Sequence, residues 1–275
     1  MIKDITIGQY IPGETFVHKL DPRTKILLAI LYIICLFIVN KFVGYIFIVS
    51  LLALTVYLAK LPPRYLYKGL KPVFFLIIFT AVLNIFMVKG TQDSLILNVG
   101  FLKIYKEGLL TAAFMAIRLI LLIMGTSILT LTTSPIELTD GIESLLKPIG
   151  KEMAHELAMM MTIALRFIPT LLDETDKIMK AQMSRGADFE SKNIINRAKN
   201  LVPLLVPLFV SAFRRADELA MAMEARCYRG GENRTKMREI VMTKADYIAW
   251  VIQFIYLIAI IATRFIRSIL WEILK

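Results

Sequence analysis

Hydrophobic and polar residues occupy long alternating blocks along this chain, and the apolar blocks define the first predicted elements. Two apolar runs, 26–39 and 42–59, are separated only by Asn40 and Lys41, which predicts a helical hairpin with a tight turn. The first run is short for a membrane span and must borrow flanking residues. Three further runs also predict transmembrane helices: 73–88, 108–131 and 247–262. The pattern therefore predicts about five membrane spans.

Turn signals interrupt the polar stretches between these runs. Pro62 and Pro63 end the second run, because proline cannot continue a helix. The stretch 89–107, between the third and fourth runs, contains Asn98-Val99-Gly100, a sequence typical of a tight turn. We therefore expect a small β-hairpin there, within an otherwise all-α membrane protein.

The character of the sequence changes between the fourth and fifth spans. Charges of both signs appear throughout this segment at helical spacing, and its apolar pieces, 157–165 and 201–213, are too short or too broken by proline to span comfortably. The chain is therefore expected to have three parts: an N-terminal transmembrane part of about four spans (1–131), a cytoplasmic domain of long amphipathic helices (132–246) and a C-terminal transmembrane helix (247–275).

Three helices are predicted in the middle part. The first begins at Ser134, which can cap it, with Pro135 in its first turn, and it ends near Lys147. The second spans about 152–185 and the third about 193–226, and each carries an apolar stripe at helical spacing. Such helices bury one face together, against the membrane surface, or both.

Proline and glycine mark expected irregularities in the two long helices. Pro169 is expected to kink the second helix. Gly186 is expected to stop that helix, and Gly230-Gly231 to stop the third.

The two long helices end in similar tips about forty residues apart. The first tip is Ser184-Arg185-Gly186 and the second is Ala225-Arg226-Cys227. An exposed arginine fork binds carboxylates or backbone oxygens bidentately and keeps its charge. Alternatively, each arginine only complements the negative C-terminal end of its own helix. The occurrence of two matching tips favours docking to a partner.

Composition agrees with a membrane protein. The chain is 57% hydrophobic, with a mean hydropathy of +0.65 and a formal charge of +11. The basic residues flank the hydrophobic runs, as in cytoplasmic loops, so no nucleic-acid partner is expected. With five spans, this rule predicts a cytoplasmic N-terminus and middle part, with the C-terminus outside, although the C-terminal basic residues oppose that last assignment.

Two polar residues inside the predicted spans are candidate functional residues. Arg118 lies within the fourth span, where a charge usually faces protein or water. Asn84, in the third span, is its candidate partner. A purely structural pairing of Arg118 is the alternative. His18 and His155 have no ligand-like companions nearby in the sequence, so no metal site is expected.

The motifs of common catalytic sites are absent from the sequence. There is no G-x-x-x-x-G-K-[ST] motif to cradle nucleotide phosphates, no H-E-x-x-H, and no Ser/His/Asp grouping. The chain is therefore not expected to be an enzyme or to carry catalytic, cofactor-binding or metal-binding residues. A secondary transporter is also disfavoured, since the halves of the sequence do not repeat.

An ordered set of motifs resembles the transmembrane T component of energy-coupling factor (ECF) transporters, a branch of the ABC transporters. The set consists of the segment 18–25 (His-Lys-Leu-Asp-Pro-Arg-Thr-Lys), the segment 131–135 (Leu-Thr-Thr-Ser-Pro), Arg166-Phe167-Ile168-Pro169, and the two arginine tips. The tips are similar to the family's two Ala-Arg-Gly motifs. Ser184 replaces the first alanine and Cys227 replaces the second glycine, and the second change weakens the case for close approach at that tip.

The resemblance implies a function and a set of partners. In this family the two arginines dock into grooves on two cytoplasmic ABC-type ATPase subunits, which carry ATP and Mg²⁺. The membrane spans hold a substrate-binding S subunit, and the assembly imports vitamins or transition metals across the cell membrane. The S subunit selects the substrate, so this sequence does not name it.

Two other interpretations remain open from the sequence alone. A conventional ABC permease would form a homodimer with its own substrate path. A membrane scaffold without a transport role would have no ATPase partner. Within the ECF interpretation, the sequence also leaves open whether one S subunit or several share this chain.

Overall fold

The computed structural model describes residues 10–39, 42–88, 95–99, 102–187, 189, 194–231 and 240–273. These residues form nine α-helices and one pair of strands. The helices are α1 (Pro22–Ile38), α2 (Phe42–Ala59), α3 (Pro63–Leu70), α4 (Phe74–Met87), α5 (Lys106–Thr132), α6 (Pro135–Leu146), α7 (Lys151–Ser184), α8 (Ile194–Ala225) and α9 (Lys244–Ile273). A 3₁₀ turn, Lys71–Val73, joins α3 to α4.

The chain divides into two compact units. The bundle unit comprises Tyr10–Ser134 and Ile240–Lys275, and the arm unit contains Pro135–Glu239. The last helix, α9, therefore packs with the N-terminal helices although about a hundred residues separate it from them in sequence. The assignment of cytoplasmic and transmembrane roles to the three predicted parts stays a prediction.

The bundle unit is built around helix α5. Helices α1 and α2 pack against both α5 and α9, while α3 and α4 pack along α5. The centre of this core contains side chains that are almost fully buried, among them Leu36, Ile48, Leu131 and Ile260. Outward-facing residues of α4 remain apolar and exposed, as expected for a helix that meets lipid.

The predicted β-hairpin is confirmed. Strands β1 (Leu95–Val99) and β2 (Leu102–Tyr105) pair antiparallel, with Val99 opposite Leu102 and an irregularity in register near Leu95. The two residues that join the strands, 100 and 101, lie outside the described residues.

Five helical segments of the described chain are long and apolar enough to cross a membrane, so the predicted fold class, a multi-pass helical membrane protein, is confirmed. These segments are Phe42–Ala59, Pro63–Met87, Lys106–Thr132, Lys151–Ser184 and Lys244–Thr263. Their number agrees with the prediction, but one member differs: α7 is included and α1 is not.

The difference has a physical reason at each helix. Helix α1 has 17 residues, which at 1.5 Å per residue cover about 26 Å of a hydrocarbon core about 30 Å thick. Helix α7 continues through Pro169, so its apolar run extends to Leu172 with Arg166 as its one charge. By length and composition alone α7 could therefore cross a membrane, and the expectation that its apolar run does not span stays a prediction.

The arm unit consists of the three predicted helices. Helix α6 packs on α7 and α7 packs on α8, and the bounds of all three agree with the prediction to within about two residues. Ala154 and Ala158 are buried near the start of α7. An ion pair joins the two long helices, with Arg215 Nη2 3.0 Å from Glu174 Oε2.

Candidate functional site

The first arginine tip closes helix α7 with a Schellman motif. The backbone N–H of Gly186 donates to the carbonyl of Met183 at 2.9 Å, and that of Ala187 donates to the carbonyl of Gln182 at 3.0 Å. Gly186 has a φ of +91°, in the left-handed region that glycine adopts without steric cost. Arg185 occupies the C-cap position, as the predicted stop at Gly186 requires.

The second tip repeats this backbone arrangement at the end of α8. The N–H of Cys227 donates to the carbonyl of Glu224 at 2.8 Å, and that of Tyr228 donates to the carbonyl of Met223 at 3.0 Å. Cys227 has a φ of +55° and so takes the place of Gly186 in the motif. Arg226 and Arg185 therefore stand at equivalent positions of the same local structure.

The predicted stop of the third helix at Gly230-Gly231 was wrong. Helix α8 ends at Ala225, because the Schellman bonds of Cys227 and Tyr228 satisfy its last carbonyl groups. Gly230 has a φ of +85° in the turn that follows. Gly231 packs against the ring of His155, and a Cβ added there would lie 2.8 Å from that ring.

All six tip residues are exposed, from Ser184 to Gly186 and from Ala225 to Cys227. A Cβ on Gly186 would meet no atom within 4 Å, so space does not require glycine here. The positive φ is the reason that glycine is favoured. Within the described residues, neither Arg185 nor Arg226 makes a side-chain hydrogen bond or ion pair. Both arginines are exposed, and among the described residues neither guanidinium group binds a carbonyl of its own helix.

The two tips lie far apart within the arm unit. Each arginine lies eleven residues beyond the Glu174–Arg215 ion pair on its own helix, which is about 16 Å of helix. The chain just after the second tip contacts His155, in the first turns of α7, whereas the first tip ends that helix. The tips are thus separated by roughly 30 Å, too far for one small pocket to hold both.

Arg118 binds the end of helix α1. Its Nη2 donates to the carbonyl of Val39, the C-cap of α1, at 2.8 Å, and its Nε donates to the hydroxyl of Tyr45 at 3.2 Å. The guanidinium carbon lies 5.7 Å from the centre of the Phe37 ring. These contacts place a positive charge at the negative end of a helix, as the alternative of a structural pairing expects.

Asn84 and Arg118 do not form the predicted pair. Both lie among the described residues, and the Asn84 amide donates to the carbonyl of Thr80 at 2.8 Å, one turn earlier in its own helix. A bond to the preceding turn satisfies a short polar side chain without any tertiary partner. The structure therefore does not bring the two proposed intramembrane residues together.

The N-terminal signature forms a buried polar network in the bundle unit. Asp21 caps α1 by accepting from the N–H of Arg23 at 2.8 Å, and its own N–H donates to Asp246 Oδ1 at 2.8 Å. Lys25 Nζ donates to the carbonyls of His18 at 2.9 Å and Thr132 at 3.0 Å. The start of α1 is thereby joined to the end of α5 and the start of α9.

Asp246 is the member of this network that the sequence reasoning missed. It is 1% exposed, and its Oδ2 accepts from both the N–H and the hydroxyl of Thr243, at 2.7 and 2.8 Å. Thr243 followed three residues later by an acidic side chain is a capping box, a signal that was present in the sequence. The other carboxylate oxygen of Asp246, Oδ1, accepts from the N–H of Asp21, which lies 225 positions away, and no local signal in the sequence indicated this bond.

The apolar helices and the two exposed arginine tips define a multi-pass helical membrane protein with two equivalent, exposed helix ends. Residues 13–237 match the model of the CbiQ family, described as cobalt transport protein. The match covers most of the chain, which therefore belongs to this family.

Relatives with assigned names are similar over nearly the whole chain. The energy-coupling factor transporter transmembrane protein EcfT of Clostridium kluyveri is 66% identical over 251 residues, 90% of this chain and 93% of the relative. EcfT of Thermosediminibacter oceani is 57% identical, over 96% of this chain and 100% of the relative. EcfT of Bacillus subtilis is 50% identical, over 90% of this chain and 93% of the relative. These relatives are named as components of a transporter.

Proposed function

We propose that this chain is the coupling subunit of an ECF transporter. It links ATP hydrolysis by two cytoplasmic ATPase subunits to the movement of a membrane-embedded S subunit that binds the substrate. The observation that carries the proposal is the pair of equivalent, exposed arginine tips at Arg185 and Arg226, in a chain similar to named EcfT proteins.

The geometry of the tips suits two separate partners. Each Schellman motif holds an arginine at a rigid helix end, so docking costs little backbone entropy. The planar fork fits a groove that offers a carboxylate or backbone oxygens, and bidentate binding fixes its orientation. With roughly 30 Å between them, the tips engage two grooves, one on each ATPase.

The remaining assignments follow from this role. ATP and Mg²⁺ belong to the ATPase subunits, and this chain supplies no catalytic or cofactor-binding residue. The substrate is a vitamin or another micronutrient, chosen by the S subunit. The N-terminus and the arm unit lie on the cytoplasmic side of the cell membrane, where the ATPases are, and the bundle unit lies in the bilayer.

The first experiment is co-purification of this chain with the ATPases of an EcfT relative's transporter, using wild type, Arg185→Glu and Arg226→Glu. Each reversal is expected to weaken ATPase binding by at least about thirtyfold, because a charged group docked in a groove contributes about 2 kcal/mol or more. Arg214→Glu is the matched control, since Arg214 is exposed on α8 away from the tip. It is expected to bind normally.

The outcome separates the proposal from its alternatives. Normal ATPase binding by both tip variants would mean that the arginines are only helix ends. A conventional ABC permease predicts that this chain binds substrate without an S subunit and purifies as a homodimer. A scaffold predicts that wild type recovers no ATPase.

A further inference from the structure

A partly open cavity of about 130 Å³ lies in the bundle unit. Its wall is formed by α1, α2, α5 and α9 together with the segment just before α1. Most of the lining is aliphatic, including Leu28, Ala29, Ile128 and Ala249. An engineered apolar cavity of about 150 Å³ is known to bind benzene, so this space suits a body of about six to eight heavy atoms.

Gln253 brings an unpaired amide to this apolar wall. The side chain is 6% exposed, and its Nε2 is buried without a hydrogen-bond partner among the described residues. Buried amides are almost always hydrogen-bonded, because leaving one unpaired costs about 1–3 kcal/mol. The amide therefore indicates an occupant that supplies an acceptor.

Other polar side chains at the wall already donate to protein carbonyls. Tyr32 donates its hydroxyl to Leu121 at 2.9 Å, and Thr55 donates to Leu51 at 2.8 Å. Lys25 donates to two backbone carbonyls, as described above. Among these side chains, the Gln253 amide is the donor that still needs an acceptor.

We propose that this cavity binds a small neutral amphiphile. Its hydrocarbon body fills the aliphatic space, and one carbonyl or hydroxyl oxygen accepts a hydrogen bond from the Gln253 amide. A charged ligand is disfavoured, because the ammonium of Lys25 already donates to two backbone carbonyls and the rest of the wall is mostly apolar, which does not repay the loss of hydration of an ion. The ester end of a membrane lipid and a free small molecule from the membrane phase share this chemistry. The proposal does not depend on docking at the arginine tips.

The test uses a photoreactive ligand, a butanol that carries a diazirine on its chain. The full-length protein is placed in nanodiscs of phosphatidylcholine, illuminated with increasing ligand, and its adducts are located by mass spectrometry. Saturable labelling of cavity residues, displaced by 1-hexanol, is expected for wild type. Non-saturable labelling, or labelling confined to lipid-facing residues, would overturn the proposal and leave water as the occupant.

Three variants decide whether the cavity is responsible. Gln253→Met keeps the length of the side chain but removes the amide, and it is expected to weaken saturable binding about three- to tenfold, the effect of one hydrogen bond. Ala249→Leu fills the cavity and is expected to abolish binding. Ala259→Leu, on the same helix outside the lining, is the control and is expected to bind like wild type. Equal labelling of all variants would refute the site.

Folding does not confound the test. Replacing an unpaired buried amide by methionine is expected to leave the melting temperature unchanged or higher.

A second set of nanodiscs, made from ether-linked lipid without the ester carbonyl, distinguishes a lipid ester from a free small molecule as the natural occupant of the cavity. Stronger labelling in the ether discs supports a lipid ester as the natural occupant, and equal labelling supports a free small molecule.

Discussion

At the scale of single residues, the two tips share one backbone conformation but place different residue types in it. Gly186 and Cys227 both adopt a left-handed conformation, but a side chain in that region crowds its own backbone, at about 1–2 kcal/mol. The sequence alone indicated a weakened second tip because glycine was missing. The structure shows that the second tip keeps the left-handed conformation and that Cys227 is the residue strained by it.

Cys227→Gly is therefore expected to stabilise the protein by about 1 kcal/mol without loss of ATPase binding. Thermal unfolding in detergent measures the effect. Gly186→Ala is the matched opposite change and is expected to destabilise by a similar amount. A lower melting temperature for Cys227→Gly would show that the thiol makes a contact that outweighs the strain.

Arg118 gives a second prediction at this scale. Arg118→Leu removes the bonds to Val39 and Tyr45 and leaves the end of α1 without its cation, at a cost of about 1.5–3 kcal/mol. A lower melting temperature with unchanged ATPase binding is expected. Lost transport in a variant of undiminished stability would instead indicate that Arg118 acts directly in function.

At the scale of elements, the helices were largely predictable and their tertiary bonds were not. The ends of α6 and α7 follow from proline, glycine and apolar periodicity, which act over a few residues, whereas α8 ends before its predicted glycine stop. The bond between Asp21 and Asp246 joins residues 225 positions apart, and only the fold brings them together. Asn84 shows the converse, since a local bond satisfied a side chain for which a distant partner was predicted.

The junction of α1 and α9 can be tested through Asp246. Asp246→Ala removes the cap of α9 and leaves the buried N–H of Asp21 without an acceptor, so a loss of about 2–4 kcal/mol is expected. Denaturation in mixed micelles provides the measurement. Asp217→Ala, at an exposed position on α8, is the control and should change stability little. If wild type and Asp246→Ala were equally stable, the bonds of Asp246 would not be what holds α1 and α9 together.

At the scale of the whole molecule, the number of spans was predictable and their identity was not. Hydropathy alone does not separate a 17-residue apolar helix from the apolar middle of a long amphipathic one. Packing partners add information that hydropathy lacks: α1 packs against α2, α5 and α9, whereas α7 packs against α6 and α8 among the described residues.

The native cysteines report on the orientation of the molecule. Cys227 is exposed and Cys35 is fully buried, and the chain has two cysteines. A membrane-impermeant maleimide is expected to label intact cells weakly and permeabilised cells strongly, because the proposal places the arm unit in the cytoplasm. Labelling of intact cells would reverse that orientation.

Two variants complete this measurement. Cys227→Ser serves as the unlabelled control. In that background, Ser184→Cys places an exposed thiol at the C-terminal end of α7, away from His155 and the segment after Cys227, and is expected to react on the same side as Cys227. Reaction on the opposite side would show that α7 crosses the membrane.

The ion pair between Glu174 and Arg215 divides α7 and α8 at matching points. Eleven residues separate it from the arginine on either helix. In mechanical terms, the two proposed docking points stand at equal lengths of helix from the place where this ion pair joins α7 to α8. If two motors pull on the tips, as we propose, equal lengths give them equal leverage about this contact, and a change in either length would unbalance them.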